Sequence, residues 1–466
     1  MRAVIVGAGP SGFYTADQLL AAGFEVDMLD ALPTPFGLVR AGVAPDHPNI
    51  KAVIRVYEKT AAKPGFRFFG GVELGEHVSR ADLLEHYHVV VYAFGTSDDN
   101  RVGIPGEDRP GSHAATEFVA WYNGHPDAAD RDFDLSARRA VVIGNGNVAI
   151  DVARMLVLHP DELVVTDTAD HAIEAFAESQ VEEVILLGRR GPAQAAFTNP
   201  ELRELADLMR AGVEVDPLDL ELDEHSRRWL EEEADATARR NVDILRSYAE
   251  ATPKEASHRL ILRFLRSPVE ILGEGDDGPV TGVRVVRNRI EPSERGGLRA
   301  VPTGDEEVIE CGLVLRSIGY RGRPVDDIPF DERRGLIRNE GGRVVDEDGH
   351  VQRGEYVVGW IKRGPSGVIG TNKKDAADTV NSILEDLETG RIPDLAADRR
   401  TPGGEAEDVA PIEVLLDERG GDHVTYMGWQ AIDRAEVAAG EPHGRPRVKF
   451  CRVHEMVEAA REEANA

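Results

Sequence analysis

Arg2-Ala-Val-Ile-Val-Gly-Ala-Gly-Pro-Ser-Gly12 runs from an apolar strand pattern straight into the spacing GxGxxG. The helical pattern that follows, Phe13 to Ala22, stops at Gly23, and Glu25-Val-Asp-Met-Leu29 reads as a second, parallel strand. Strand, turn, helix and strand make a βαβ unit. In such a unit Gly7 permits the tight turn, Gly9 lets the backbone approach a pyrophosphate, and Gly12 allows close packing of helix on strand. The helix N-terminus then presents amide donors and a partial positive charge to phosphates. Asp30 falls at the end of the second strand, where an acid binds ribose hydroxyls. GxGxxG by itself also describes a plain tight turn; its place between strand and helix, together with Asp30, points to a dinucleotide.

The pattern recurs once. Arg139-Ala-Val-Val-Ile143 leads into Gly144-Asn-Gly-Asn-Val-Ala149, and a helix continues to about Leu158. Asn145, Gly146, Asn147 and Val148 therefore occupy the second phosphate loop. Its partner strand, Val184 to Leu187, leads into Gly188-Arg-Arg190 rather than an acid. A carboxylate there would repel a 2′-phosphate, whereas Arg189 and Arg190 can bind it with charge-assisted hydrogen bonds. Two solvated surface arginines are the plainer alternative. The first site suits FAD and the second suits NADPH over NADH. Two such sites in one chain suggest hydride transfer from a nicotinamide to a flavin, which can then release electrons singly.

Elsewhere, Phe66–Phe69 and Val89–Phe94 are strand candidates, the second ending at Gly95. Stretches 200–211 and 225–250 read as acidic helices, and 255–320 as strands and turns. Tyr356 to Leu384 returns to strand, glycine-rich loop and helix. Gly364, Gly367 and Gly370 would let backbone lie against a flat ring, with a helix N-terminus near Asn372 to stabilise negative charge; a glycine-rich turn is the bland reading. Residues 396–410 are charged and contain Pro402, Gly403 and Gly404, as an exposed linker would.

The 466 residues carry 84 Asp and Glu against 54 Lys and Arg, a formal charge of -30. That balance disfavours non-specific nucleic-acid binding and docking on anionic membranes. Cys311 and Cys451 are the two cysteines, and no CxxC occurs. A disulfide framework or a redox-active cysteine pair is not expected. The strand pattern begins directly after Met1 and no apolar run reaches spanning length, so a cytoplasmic home is the simple expectation.

Leu32-Pro-Thr-Pro-Phe-Gly-Leu-Val-Arg-Ala-Gly-Val-Ala-Pro-Asp-His47 resembles the adrenodoxin reductase family of ferredoxin–NADP reductases. So do Phe66–Gly70, Ile104–Glu107, Gly144–Val148, Gly188–Pro192, Tyr356–Pro365 and Gly367–Lys374, so that the resemblance spans nearly all of residues 1–390. Gly440–Arg447 is similar to bacterial members, the mycobacterial type included. The resemblance implies FAD contacts at Ser11, Asp30, Leu38, Leu74, Trp360, Gly367, Val368 and Ile369. It implies NADP contacts at Asn145 to Val148, Arg189, Arg190, Glu201 and Gly367. Asp30 replaces the family's usual Glu, shortening the reach to the ribose. Arg101 stands one position away from a family arginine, with Asn100 in that slot. The activity implied is hydride transfer from NADPH to FAD, then one-electron transfers to a ferredoxin-like iron–sulfur protein.

His47, at the end of the first block, and Glu204, three residues after Glu201 on one helix face, are the candidate catalytic pair. His47 is also readable as a structural histidine and Glu204 as a solvated helical charge, and ring positioning is the main device such chemistry needs. Arg203, Lys362, Arg363, Lys373 and Lys374 form either a basic patch for an acidic ferredoxin or scattered surface charge. Disulfide reduction, flavin monooxygenation and a flavin-binding sensor are the competing classes. The first lacks its cysteine pair, and the last leaves the second site unexplained. The expected fold is α/β, with two Rossmann-like dinucleotide-binding domains and the NADP domain inserted into a discontinuous FAD domain. The expected bounds are 1–104 and 325–395 for FAD, 105–324 for NADP, and 396–466 for linker and tail, with hinges near Ile104 and Gly319–Gly322.

Overall fold

Strand Arg2–Val6 lies between Glu25–Asp30 and Val89–Tyr92 and runs parallel to both. Arg2–Val6 and Val89–Tyr92 are near-continuous apolar runs because both faces of the sheet are covered, whereas Glu25–Asp30 carries the buried Asp27 among its apolar residues. Ala3, Ile5, Val26, Met28, Val89 and Val91 face one core with Phe13, Leu19 and Tyr57. Val4, Val6, Leu29, Val90 and Tyr92 face the other with Leu83, Tyr87 and Val357. This alternation is the period-two geometry of a strand expressed across a two-sided sheet.

The computed structural model describes residues 1–251, 254–294, 296–393, 411–420 and 422–464. The chain divides into one unit of Met1–Asn100 with Gly319–Ala466, and another of Arg101–Ile318. The first contains an eight-stranded sheet in the order Asn339–Glu340, Arg343–Val345, Val351–Val357, Val89–Tyr92, Arg2–Val6, Glu25–Asp30, Phe66–Gly70, Val424–Thr425. Its last member is unexpected. Val424–Thr425, in the stretch read as a tail, pairs antiparallel with Phe66–Gly70, and helix Tyr426–Gly440 follows directly. The linker expected at 396–410 lies outside the described residues.

The second unit holds a six-stranded sheet ordered Ser112–Ala114, Leu313–Arg316, Arg139–Ile143, Glu183–Leu187, His258–Arg263, Ala211–Val215. A three-stranded antiparallel sheet, Arg266–Gly273, Val280–Pro292 and Leu298–Glu310, completes it. The helix expected over 200–211 is shorter. Asn199–Glu204 is α-helical, Leu205–Asp207 is one tight turn, and Ala211–Val215 is an edge strand. Its partner, His258–Arg263, arrives more than forty residues later, so local propensity carried little signal for it. Among the described residues no helix is long and apolar enough to cross a membrane.

Candidate dinucleotide sites

In the first unit the chain leaves Arg2–Val6 at the point where neighbouring strands lie on opposite sides in sequence order, the crevice where open α/β sheets bind ligands. Gly7 has φ +113°, and a Cβ there would lie 2.6 Å from the Ala93 carbonyl. A Cβ on Gly12 would lie 2.1 Å from the Gly7 oxygen, whereas one on Gly9 would meet nothing within 4 Å. Two glycines thus close the loop against the protein, and the third faces open space. Helix Pro10–Ala21 has no side-chain cap on its first amides, which leaves its N-terminal donors to a phosphate.

Asp30 is half-buried and holds this loop. Its carboxylate accepts from Ala8 N at 2.7 Å and Leu32 N at 3.0 Å. Burial pushes its pKa up to about 6, against the pull of those two donors. With one methylene fewer than Glu, the carboxylate sits within reach of its own loop. Phe36 N donates to the Ala8 carbonyl at 2.8 Å, and Phe36 adopts φ +84°, a costly conformation for an aromatic residue. Its ring is buried against Phe13 at 5.3 Å and Trp429 at 5.6 Å, contacts that over-determine the strained backbone. Leu38 follows at the start of a short helix and is 39% exposed.

Ser11 Oγ donates to Asn372 Oδ1 at 3.1 Å, and Arg363 donates to the same oxygen at 2.8 Å. This ties the first helix to the N-terminus of Thr371–Glu388, directly after Gly367-Val-Ile369. Val368 is exposed, and Ile369 packs against the core. Trp360 lies 5.4 Å from Tyr320, ring to ring. Leu74 forms an isolated bridge with Val78. His47 is buried at the start of Pro48–Lys51. Thr96, just past strand Val89–Tyr92, was not singled out from sequence, although the strand's end at Gly95 marked the place. Its buried Oγ has no hydrogen-bond partner among the described residues.

The second unit repeats the construction. Gly144 N donates to Leu187 O at 2.9 Å, as Gly7 N does to Leu29 O at 2.7 Å. A Cβ on Gly144 would lie 2.0 Å from Ser317 O, whereas one on Gly146 would meet nothing within 4 Å. The buried Asn145 Nδ2 has no partner among the described residues. Asn147 Oδ1 accepts from Thr198 N at 2.8 Å, fixing the entry to Asn199–Glu204 on which Glu201 and Glu204 stand half-buried. The Thr198 hydroxyl donates to the Glu201 carboxylate. Val148 follows Asn147 in the first turn of its helix. His47 belongs to the first unit and Glu204 to the second.

Arg189 is exposed and Arg190 half-buried, and among the described residues neither has an ion-pair partner. Burial, then the charge of Arg189, lowers the Arg190 pKa. The nearby acids are already engaged: Asp219 and Glu307 are held by Arg263 and Arg266. Two free guanidinium groups at the end of the second strand fit a 2′-phosphate, and the open, uncapped loops fit a pyrophosphate in each unit.

The expected basic patch is corrected at Lys362. Its ammonium is largely buried, 2.8 Å from Asp375 and 2.9 Å from Thr379 Oγ1. Arg203, Lys373 and Lys374 are exposed. Both cysteines are free thiols, and burial pushes Cys311 up to about 12 and Cys451 up to about 11, so neither is an activated nucleophile.

A family described as pyridine nucleotide-disulphide oxidoreductase matches residues 1–187. NADPH-ferredoxin reductase FprA of Mycobacterium leprae is 49% identical over 462 residues, covering 97% of each chain. The mitochondrial NADPH:adrenodoxin oxidoreductase of Salvelinus fontinalis is 41% identical, over 99% of this chain and 91% of that protein. The structure of Mycobacterium tuberculosis FprA in complex with NADPH superposes with a TM-score of 0.89 at 46% identity, covering 98% of this chain and 99% of that one.

Proposed function

The chain belongs to the family of NADPH–ferredoxin reductases that includes FprA and adrenodoxin reductase, and we propose that it carries electrons from NADPH through FAD to a ferredoxin-like iron–sulfur protein. The observation that carries this reading is the pairing of two like glycine loops with unlike strand ends. Asp30 closes one, and the unpaired Arg189 and Arg190 close the other. The unit Met1–Asn100 with Gly319–Ala466 is assigned to FAD, and Arg101–Ile318 to NADPH.

The flavin supplies the conversion of a two-electron hydride into single electrons. The chain's residues bind and orient. The amides that open Pro10–Ala21 and Asn147–Val157 receive pyrophosphate oxygens, with Gly9 and Gly146 leaving room for them. Asp30 accepts from ribose hydroxyls, and Ser11, Leu38, Leu74, Trp360 and Gly367–Ile369 line the flavin's place. Arg189 and Arg190 select the 2′-phosphate, with Asn145 and Glu201 beside the nicotinamide nucleotide. His47 and Glu204 are the side chains assigned to placing the nicotinamide and holding a proton. With no CxxC in the sequence and burial raising the pKa of both thiols, dithiol chemistry has no support. A reducing, cytoplasmic setting accords with two free thiols. Cytochrome c reduction by NADPH tests the reading: it should depend on added ferredoxin. Equal rates without ferredoxin would overturn the assignment of the acceptor.

A further inference from the structure

Three consecutive carbonyls of Gly188-Arg189-Arg190 are held by the antiparallel sheet of the same unit and by Leu265, the residue that leads into it. Arg266 N donates to Gly188 O at 3.0 Å, Asn288 Nδ2 to Arg189 O at 2.8 Å, and Leu265 N to Arg190 O at 3.2 Å. The middle contact is the one made by a side chain. Asn288 is 2% exposed and stands where the pairing of Val280–Pro292 with Leu298–Glu310 slips, between Val286 and Asn288. A bulge of this kind re-aims a side chain. Here it turns an amide from a strand toward the arginine loop.

The surroundings are built around that contact. Asn288 N donates to Leu265 O at 2.8 Å, and Leu265 adopts φ +55°, an uncommon conformation for a bulky residue. Asn288 Nδ2 also donates to Ser267 Oγ at 2.8 Å. Its buried Oδ1 has no partner among the described residues, so the amide is placed for what its nitrogen donates. A strained leucine and an unsatisfied oxygen are costs that folding alone would select against.

We propose that Asn288 is a positioning residue for coenzyme choice: by fixing the Arg189 carbonyl it sets the two guanidinium groups in register with the 2′-phosphate of NADPH. This rests on the reading that Arg189 and Arg190 bind that phosphate. Without the Nδ2 donor, the Arg189 carbonyl loses its hold between the two flanking contacts, and a guanidinium pair that repels itself has more room to spread apart.

Calorimetric titration with adenosine 2′,5′-bisphosphate and with 5′-AMP separates the possibilities and needs no flavin chemistry. Parent protein should prefer the bisphosphate, and R189A/R190A should lose that preference. Asn288→Ala and Asn288→Leu, which keeps the branched shape and the heavy-atom count, should each weaken the bisphosphate by about fivefold or more, the worth of one hydrogen bond, and leave 5′-AMP unchanged. Ser267→Ala, which keeps the Arg189 contact, should retain the parent ratio. In the holoenzyme, Asn288→Leu should raise KM for NADPH and not lower kcat. If R189A/R190A keeps the preference, the arginine reading fails and the proposal with it. If that variant loses the preference while both Asn288 variants keep it, the role of Asn288 alone is overturned. Failure of both Asn288 variants to fold would make Asn288 a folding residue and equally overturn the proposal.

Discussion

Glu436 accepts two hydrogen bonds from the Arg40 guanidinium, at 2.9 and 2.5 Å, from a position with no solvent exposure. Arg447 at 3.2 Å and Phe450 N at 2.9 Å complete its shell. Burial raises the Glu436 pKa, but the charges of Arg40 and Arg447 and their hydrogen bonds outweigh it and hold the group below its ordinary value. Arg40 belongs to the short helix that follows Gly37, and Gly37 packs on Gly9, so helix Tyr426–Gly440 is clamped beside the first glycine loop.

Glu436→Ala should therefore destabilise the protein by about 3–5 kcal/mol, because it strands a buried guanidinium. Replacing both partners, as in Arg40→Met with Glu436→Leu, should recover much of that loss. Denaturant unfolding of the two variants checks it. Equal stabilities would mean that the ion pair is not what fastens the segment.

Gly9→Ala and Gly12→Ala should fail in different ways. The added methyl at Gly9 enters open space, so the protein should fold with near-parent stability and yet purify without flavin. The methyl at Gly12 collides with the Gly7 carbonyl and should lower the melting temperature as well. A yellow Gly9→Ala protein would place the pyrophosphate elsewhere.

Lys362 and the pair Lys373 and Lys374 should separate in the same manner. Lys362→Ala removes the nearer of the two cations beside Asp375, which also accepts from Gly359 N at 2.6 Å, and should loosen flavin retention. Charge reversal at Lys373 and Lys374 should slow ferredoxin reduction and spare NADPH-to-ferricyanide transfer. Rising salt should then affect the parent more than the variant, since screening acts over about 8 Å at physiological salt. Unchanged ferredoxin rates across salt would remove these lysines from docking.

The two glycine loops were legible because each couples a period-two apolar run, a fixed glycine spacing and a helix within one short window. The C-terminal segment was not. Val424–Thr425 joins the sheet through backbone pairing with a strand more than 350 residues earlier, and Glu436, on a helix that also carries Asp433 and Arg434, looks like any solvated charge. Lys362 misled for the converse reason: its burial depends on Asp375 and Thr379 one helix away. Asn288 gave no signal, since a bulge depends on cross-strand register.

Asp30 should reverse the usual sign of a carboxylate's effect on stability. Its folded pKa, about 6, lies above the ordinary 3.8, so between those values the folded state holds the extra proton. Stability contributed by this group is present at low pH and lost as pH rises through the folded pKa, by up to about 3 kcal/mol. Melting of flavin-free parent and Asp30→Asn protein from pH 4 to 7 should show the parent falling progressively behind until about pH 6, then holding a constant gap. A pH-independent gap would contradict it.

Anaerobic titration tests the central claim most directly. One equivalent of NADPH should bleach the bound flavin, NADH at the same concentration should bleach it far more slowly, and oxidised ferredoxin should restore the colour in one-electron steps. A flavin that NADPH leaves oxidised, or that once reduced cannot be reoxidised by ferredoxin, would contradict the account.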